Sequence, residues 1–150
     1  MQGRTSRRKR GFVLITMAIG AVAIFGAVGM AVDVGRAFIA KNETQVFCDA
    51  AALAAALKLD GASTGITNAK AAVTNSTNAW NMDSASVASP TVDFATSASG
   101  PWVTTPASPA GYTYARVQSS VGLPLYFVPV VLGMLTNSAR YTQTINSAAI

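Results

Sequence analysis

Histidine is absent from this 150-residue sequence, and Cys48 is its one cysteine. Without a second cysteine the chain has no intramolecular disulfide, and without histidine no zinc site can be assembled from these residues. Cys48 could cross-link two copies of the chain, although a small buried helix residue is the simpler interpretation. We therefore expect no metal site and no cofactor.

Charged residues are also scarce, at 11% of the chain, which is less than half of the usual quarter for a soluble domain. The cations are concentrated in the first ten residues, and none lies between Lys70 and Arg116. The net charge of +5 therefore describes a basic tail. Binding to nucleic acid would need basic residues on a folded face, so we expect no nucleic-acid partner.

An apolar, charge-free stretch runs from Gly11 to Val32. As a helix with a rise of about 1.5 Å per residue it would cover about 33 Å, enough to cross a hydrocarbon core of about 30 Å. A signal peptide has a shorter apolar core of about 7–15 residues, so we prefer a retained anchor to a cleaved signal. The cleavage site of such a signal would lie near Ala27.

The distribution of charge predicts the orientation of this span. A basic tail at residues 1–10 precedes the transmembrane helix at 11–32, while few cations follow it. The positive-inside rule then keeps the N-terminus in the cytoplasm and places residues 33–150 outside it.

The helix is expected to continue beyond the membrane. Residues 33–60 contain no proline, Ala50–Leu57 has very high helix propensity, and Asp60-Gly61 is a plausible stop. Apolar residues of this continuation fall near one stripe, namely Ile39, Val46, Leu53 and Leu57. Gln45 and Asp49, four residues apart, can form a hydrogen bond on the same face.

The remaining residues, 61–150, predict a small α+β domain. We expect a helix at 65–79, a turn at 81–90 and strands at 90–96, 111–121 and 138–149. The apolar run at 123–135 is too short to span a membrane and contains two prolines, which favours a short buried helix or turn. The expected fold class is thus α+β, with a long N-terminal helix and a small antiparallel sheet.

Two further patterns bear on partners and on catalysis. Small residues recur every four positions at Ala23, Ala27, Ala31 and Gly35. Such a stripe lets another transmembrane helix approach closely, so self-association through it is possible. Four of the six acidic residues lie on or at the end of the long helix without a histidine or a basic cluster, and we expect no enzyme activity.

The order of motifs along residues 10–57 resembles the N-terminal module of the Flp pilus-assembly TadE/TadG-like proteins. That family pattern has a glycine at the start of the span, Asp-x-Gly-Arg at its far edge, and a glutamine four residues before Asp-Ala-Ala-Ala-Leu-Ala. The residues that match are Gly11, Asp33, Gly35, Arg36, Gln45, Asp49, Ala50, Ala51, Ala52, Leu53 and Ala54.

The resemblance implies a non-catalytic, pilin-like or pilus-associated protein of the bacterial inner membrane, with its C-terminal part in the periplasm or in a surface filament. Its implied partners are the membrane and other pilus or assembly subunits. The alternative is an envelope-anchored binding or adhesion module whose Ser/Thr-rich loops contact a ligand. Residues 10–15 also resemble a type IV prepilin processing site, with cleavage between Gly11 and Phe12. Thr16 stands where those pilins carry a glutamate, and this departure argues against processing and against a role as the main filament subunit.

Overall fold

The computed structural model describes residues 6–76, 79–82, 85–87, 90–133 and 141–150, with side chains from residue 11 onward. Its first element is a single helix, α1, at Ser6–Ala56. The predicted long helix is therefore confirmed, although it ends four residues before Asp60. Gly61, with a φ of +81°, lies in the connection that follows.

A second helix, α2, covers Ser63–Thr74 and ends earlier than the predicted 79. Asn75 caps it, and the hydroxyl of Ser76 donates to the carbonyl of Ala72. The chain then enters a short hairpin of β1 (Ala79–Trp80) and β2 (Ala85–Ser86), where only a turn was expected. Trp80 is buried, so the helix must stop before it for the indole to reach the core.

The main sheet has three strands in the order β3-β4-β5. These are β3 (Thr91–Ala95), β4 (Tyr114–Pro124) and β5 (Thr142–Ala149), close to the three predicted strands. Strands β3 and β4 are antiparallel, with Val92 opposite Val117. Alternate residues of β4 are buried, as expected for a strand with one face on the core. Residues 138–140 of the predicted last strand lie outside the described residues.

The apolar run at 123–135 departs from the prediction. It begins as the end of β4 and continues into a six-residue helix, α3, at Val128–Gly133. Pro129 lies in the first turn of α3, where its missing N–H is not needed. No residue of α3 is buried, so the expectation of a buried helix was wrong.

The chain divides into two compact units. The N-terminal unit contains Met1–Gly35 and Pro124–Tyr141, and the sheet unit contains Arg36–Leu123 and Thr142–Ile150. The sheet unit has a hydrophobic core to which α1, α2 and the strands contribute. Its fully buried side chains include Phe94, Leu123, Val73 and Val117. The α+β class with a long helix and small antiparallel sheets is confirmed.

Candidate functional site

Asp33 is the one acidic residue of the N-terminal unit, and its side chain is held by several contacts. Its carboxylate is only 1% exposed and accepts backbone N–H groups from three consecutive residues. Tyr126 donates to Oδ1 at 3.0 Å, while Phe127 and Val128 donate to Oδ2 at 2.9 and 2.8 Å. Hydrogen bonds to a charged acceptor are stronger than neutral ones. Asp33 therefore holds the start of α3 against α1.

Glycine makes the second contact between these two helices. A Cβ added to Gly29 would lie 2.7 Å from Cβ of Phe127, too close for any side chain. A Cβ on Gly26 would lie 3.7 Å from a methyl group of Val131, which is ordinary contact. Gly29 therefore lets the Phe127 ring lie directly on the α1 backbone.

An apolar groove of about 280 Å³ runs between α1 and α3. Its walls are valine, phenylalanine and glycine side chains from both helices, namely Val22, Phe25, Gly26, Val28, Gly29, Phe127, Val130 and Val131. Its lining carries almost no polar surface, so it suits a hydrocarbon rather than a polar ligand.

The predicted small-residue stripe lies on a different face of α1. Ala23, Ala27, Ala31 and Gly35 are all exposed, and nothing lies within 4 Å of a Cβ built on Gly35. Within the chain, α3 contacts the face of Gly26 and Gly29. The stripe as an intermolecular packing face stays a prediction.

In the sheet unit, Arg36 and Glu43 hold the tip of the β1–β2 hairpin. The guanidinium of Arg36 donates to the side-chain oxygen of Asn81 at 3.3 Å. Glu43 accepts the backbone N–H groups of Asn81 and Met82, the latter at 3.1 Å. Both hairpin residues have a φ of 56°, a conformation that non-glycine residues rarely adopt. The carboxylate satisfies the two N–H groups that this conformation turns toward α1.

A row of polar side chains on α1 binds β5 of the sheet unit. Gln45 donates to Oδ1 of Asp49 at 2.9 Å and to the carbonyl of Ala148 at 3.0 Å. The predicted Gln45–Asp49 hydrogen bond is thus present. The hydroxyls of the preceding Thr44 and of Ser147 lie 2.8 Å apart, and Lys41, one turn before Gln45, donates to the carbonyl of Asn146. Gln45 therefore links its own helix to the last strand.

The alanine-rich motif divides between core and surface. Ala51 and Ala52 are 0% and 2% exposed, while Ala50 and Leu53 face outward and Ala54 is half-buried. Buried alanines keep α1 close to the sheet, since a larger side chain would force the two apart. Gly11, at the other end of the motif, is exposed with nothing within 4 Å of a built Cβ.

Cys48 is fully buried, which agrees with its interpretation as a small buried helix residue. Its sulfur lies 3.3 Å from the hydroxyl oxygen of Ser119 on β4. A thiol in this position packs as a small apolar side chain and is shielded from a second copy of the folded chain.

An ion pair in the sheet unit was not foreseen from the sequence. Arg116 on β4 donates to Asp93 on β3 at 2.8 Å, and its guanidinium lies 4.7 Å from the centre of the Trp102 ring. Burial raises the pKa of Asp93, but hydrogen bonds from Arg116 and Thr104 outweigh it and leave the pKa below its ordinary value. The pair depends on the register of β3 against β4, which places Asp93 opposite Arg116.

The similarity to known proteins lies in the same N-terminal part of the chain that carries the motif residues. Residues 11–58 match the family model Tad, described as Flp pilus-assembly TadE/G-like. Over this segment the chain is similar to that family. The resemblance expected from the sequence is thereby confirmed, and it indicates involvement in Flp pilus assembly, association with a membrane and other pilus components as partners. No curated protein and no solved structure matches the chain.

The TadE/G-like segment also contains the candidate membrane helix. Among the described residues, Gly11–Ala56 is the one helix long and apolar enough to cross a membrane, with a mean hydropathy of 2.4 in its most apolar window. None of that window is buried within the chain. A membrane-anchored, single-pass protein is consistent with the helix and with the family.

Thr16, which stands at the glutamate position of type IV prepilins, makes a local bond. Its hydroxyl donates to the carbonyl of Phe12, one turn earlier, at 2.9 Å. This bond satisfies the hydroxyl within its own helix, as is common for threonine in apolar helices. The residue therefore needs no partner inside a membrane, unlike a glutamate.

Proposed function

We propose that this protein is a non-catalytic, membrane-anchored component of a Tad/Flp-type pilus or of its assembly machinery. It spans the inner membrane once through residues 11–32, with the basic tail at 1–10 in the cytoplasm. Residues 33–60 project the helix outward, and 61–150 form the extracytoplasmic part. The match to the TadE/G-like family over residues 11–58 is the single observation that carries the proposal.

The exposed face of α1 beyond the membrane supports an assembly role. Ile39, Val46 and Leu53 on α1, and Leu57 in the turn directly after it, recur at intervals of seven and four residues and are 40–77% exposed. They therefore form one apolar stripe on the side of α1 that the sheet unit leaves uncovered. Burying one such side chain against a partner contributes about 1.5–3 kcal/mol. A partner subunit of the pilus system is the proposed occupant.

The experiment replaces Leu53 with glutamate in the full chain and scores surface pili by electron microscopy in a strain deleted for the gene. We expect complementation to fail although the protein is still inserted in the membrane. Lys58→Glu, a charge change on an exposed residue just beyond the helix, is the control and should complement. Normal piliation in the deletion strain itself would contradict the assembly role and favour the adhesion module.

Self-association through the transmembrane helix is part of the proposal. It would use the exposed face of Ala23, Ala27, Ala31 and Gly35, where small side chains permit close approach. Ala27→Leu should lower the yield of cross-linked dimers in membranes. Val32→Leu, about 140° around the helix, should not change it. Equal yields from both variants would refute this face.

A further inference from the structure

The segment at 124–133 has an unusual composition for a connection between two strands. No charged residue occurs from Val117 to Ala139. Its apolar side chains face outward, with Tyr126, Phe127 and Val130 exposed at 58%, 43% and 57%. A soluble protein seldom leaves such a contiguous apolar surface in water. Some apolar phase is therefore needed to cover α3.

The contacts of α3 place it beside the candidate membrane span. The N–H groups of residues 126–128 donate to Asp33, and Phe127 lies on Gly29. A methyl group of Val131 lies 3.7 Å from a Cβ built on Gly26. From Asp33 to Gly26 is seven residues, or about 10 Å of helix. Proceeding along its own sequence, α3 thus descends beside the outer third of the charge-free stretch at 11–32.

Near the start of this segment, Leu125 lies beside Tyr141, the first residue that the structure describes after Gly133. The backbone N–H of Leu125 donates to the carbonyl of Tyr141 at 3.1 Å. The chain therefore leaves at Leu125 and returns at Tyr141, beside its own point of departure. A tyrosine stands at each end, at 126 and 141, and tyrosine is enriched where a membrane meets water.

The backbone N–H groups at the start of α3 all have acceptors within the chain. Tyr126, Phe127 and Val128 donate to Asp33, and Pro129 has no N–H. Val130 and Val131 both donate to the carbonyl of Phe127, at 3.0 and 3.1 Å. Water could satisfy these groups in an ordinary surface turn. In hydrocarbon each must find a partner within the protein.

We propose that residues 124–133 form a re-entrant element that inserts into the outer leaflet of the membrane crossed by residues 11–32. Tyr126, Phe127 and Val130 contact phospholipid acyl chains, and Asp33 closes the element at the membrane surface. The inference rests on the proposed anchoring of the chain and adds a second membrane-embedded element to it. The apolar groove between α1 and α3 is then filled by acyl chain.

The experiment measures the depth of a fluorescent probe in the full chain. An environment-sensitive probe is attached to Val130→Cys in a Cys48→Ala background, and the protein is reconstituted in vesicles of phosphatidylethanolamine and phosphatidylglycerol. Quenching by lipids that carry a nitroxide near the headgroup is compared with quenching by iodide in the water. Phe25→Cys is the reference within the span, and Thr105→Cys is the aqueous reference; both native residues are exposed on the chain.

We expect the probe at Val130 to lose fluorescence to the lipid nitroxide as the Phe25 probe does, and to resist iodide. Quenching by iodide at Val130, with lipid quenching at Phe25, would overturn the re-entrant element and leave the anchor intact. Protection at Val130 from both quenchers would also overturn it, because a second copy or another protein would then cover α3. Iodide quenching at both Phe25 and Val130 would mean that the proposed anchoring itself is wrong.

Discussion

The N-terminal unit and the sheet unit are stabilised by different means. The sheet unit has a conventional core in which Phe94, Leu123 and Val117 are almost fully inaccessible. In the N-terminal unit many large apolar side chains are exposed, while Asp33 is only 1% exposed. Burial of apolar surface orders the sheet unit in water, whereas hydrogen bonds to a carboxylate and contact at a glycine order the N-terminal unit.

One continuous helix, α1, contributes to both units. Within the sheet unit, α1 presents small residues inward, such as Ala51 and Ala55, and its packing excludes water. In the N-terminal unit, apolar packing within the chain gains little if lipid surrounds it, because lipid tails are as apolar as the side chains. Polar contacts and close backbone approach are then what distinguishes one arrangement from another.

The largest effect should come from the core of the sheet unit. Phe94→Ala removes a fully buried ring and should lower the free energy of unfolding by about 3–5 kcal/mol. Phe38→Ala, at a position that is 67% exposed, should change it by less than about 0.5 kcal/mol. Denaturant unfolding of the purified protein in detergent, followed by near-ultraviolet circular dichroism, measures both. Similar losses would refute the assignment of Phe94 to the core.

Asp33→Ala tests the corresponding interaction in the N-terminal unit. It removes the acceptor of three N–H groups, and each hydrogen bond to a charged group contributes about 1.5–3 kcal/mol. Hydrogen exchange of the amides at 126–128 should therefore accelerate by at least about tenfold, while the sheet strands should keep their protection. Asp49→Ala, which removes an exposed partner of Gln45, is the matched control. Unchanged exchange at 126–128 in Asp33→Ala would show that the carboxylate does not hold α3.

Gly29→Ala and Gly35→Ala separate close approach from helix propensity. Alanine favours a helix over glycine by about 1 kcal/mol, so Gly35→Ala should stabilise α1 slightly. At Gly29 the new Cβ meets Cβ of Phe127, and relief of that overlap should cost about 1–3 kcal/mol. We expect faster exchange of the α3 amides in Gly29→Ala alone. The same response from both variants would argue against direct contact between Gly29 and Phe127.

The smallest effect concerns the Asp93–Arg116 pair of the sheet unit. Because the folded-state pKa of Asp93 lies below its unfolded value, the pair contributes stability above a pH of about 4. That contribution is lost as the pH falls through the lower, folded-state pKa. It should amount to about 1 kcal/mol, since both side chains are partly exposed.

The stability difference between the parent protein and Asp93→Asn, measured from neutral pH downward, checks this pH dependence. The difference should shrink toward zero in acid. A difference that stays constant with pH would mean that Asp93 contributes through packing or hydrogen bonding alone.

The long helix, the three strands of the main sheet and the family resemblance could be predicted from the sequence, because these features depend on local signals. Residues 33–56 contain no proline, alternation marks β4, and the Gln45–Asp49 bond joins residues one helical turn apart. Local propensity and side-chain period are enough to predict such features.

The contacts of the motif residues with distant segments could be seen only in the tertiary structure. That Asp33 caps α3, that Gly29 receives Phe127 and that Gln45 reaches Ala148 depends on segments about 93–103 residues away in the chain. The spacing of small residues predicted a packing face that includes Ala27, whereas within the chain Phe127 packs on the face that includes Gly29. A periodic pattern states which residues share a face, but the partner of that face is fixed by how distant segments return to it, and no local signal encodes that return.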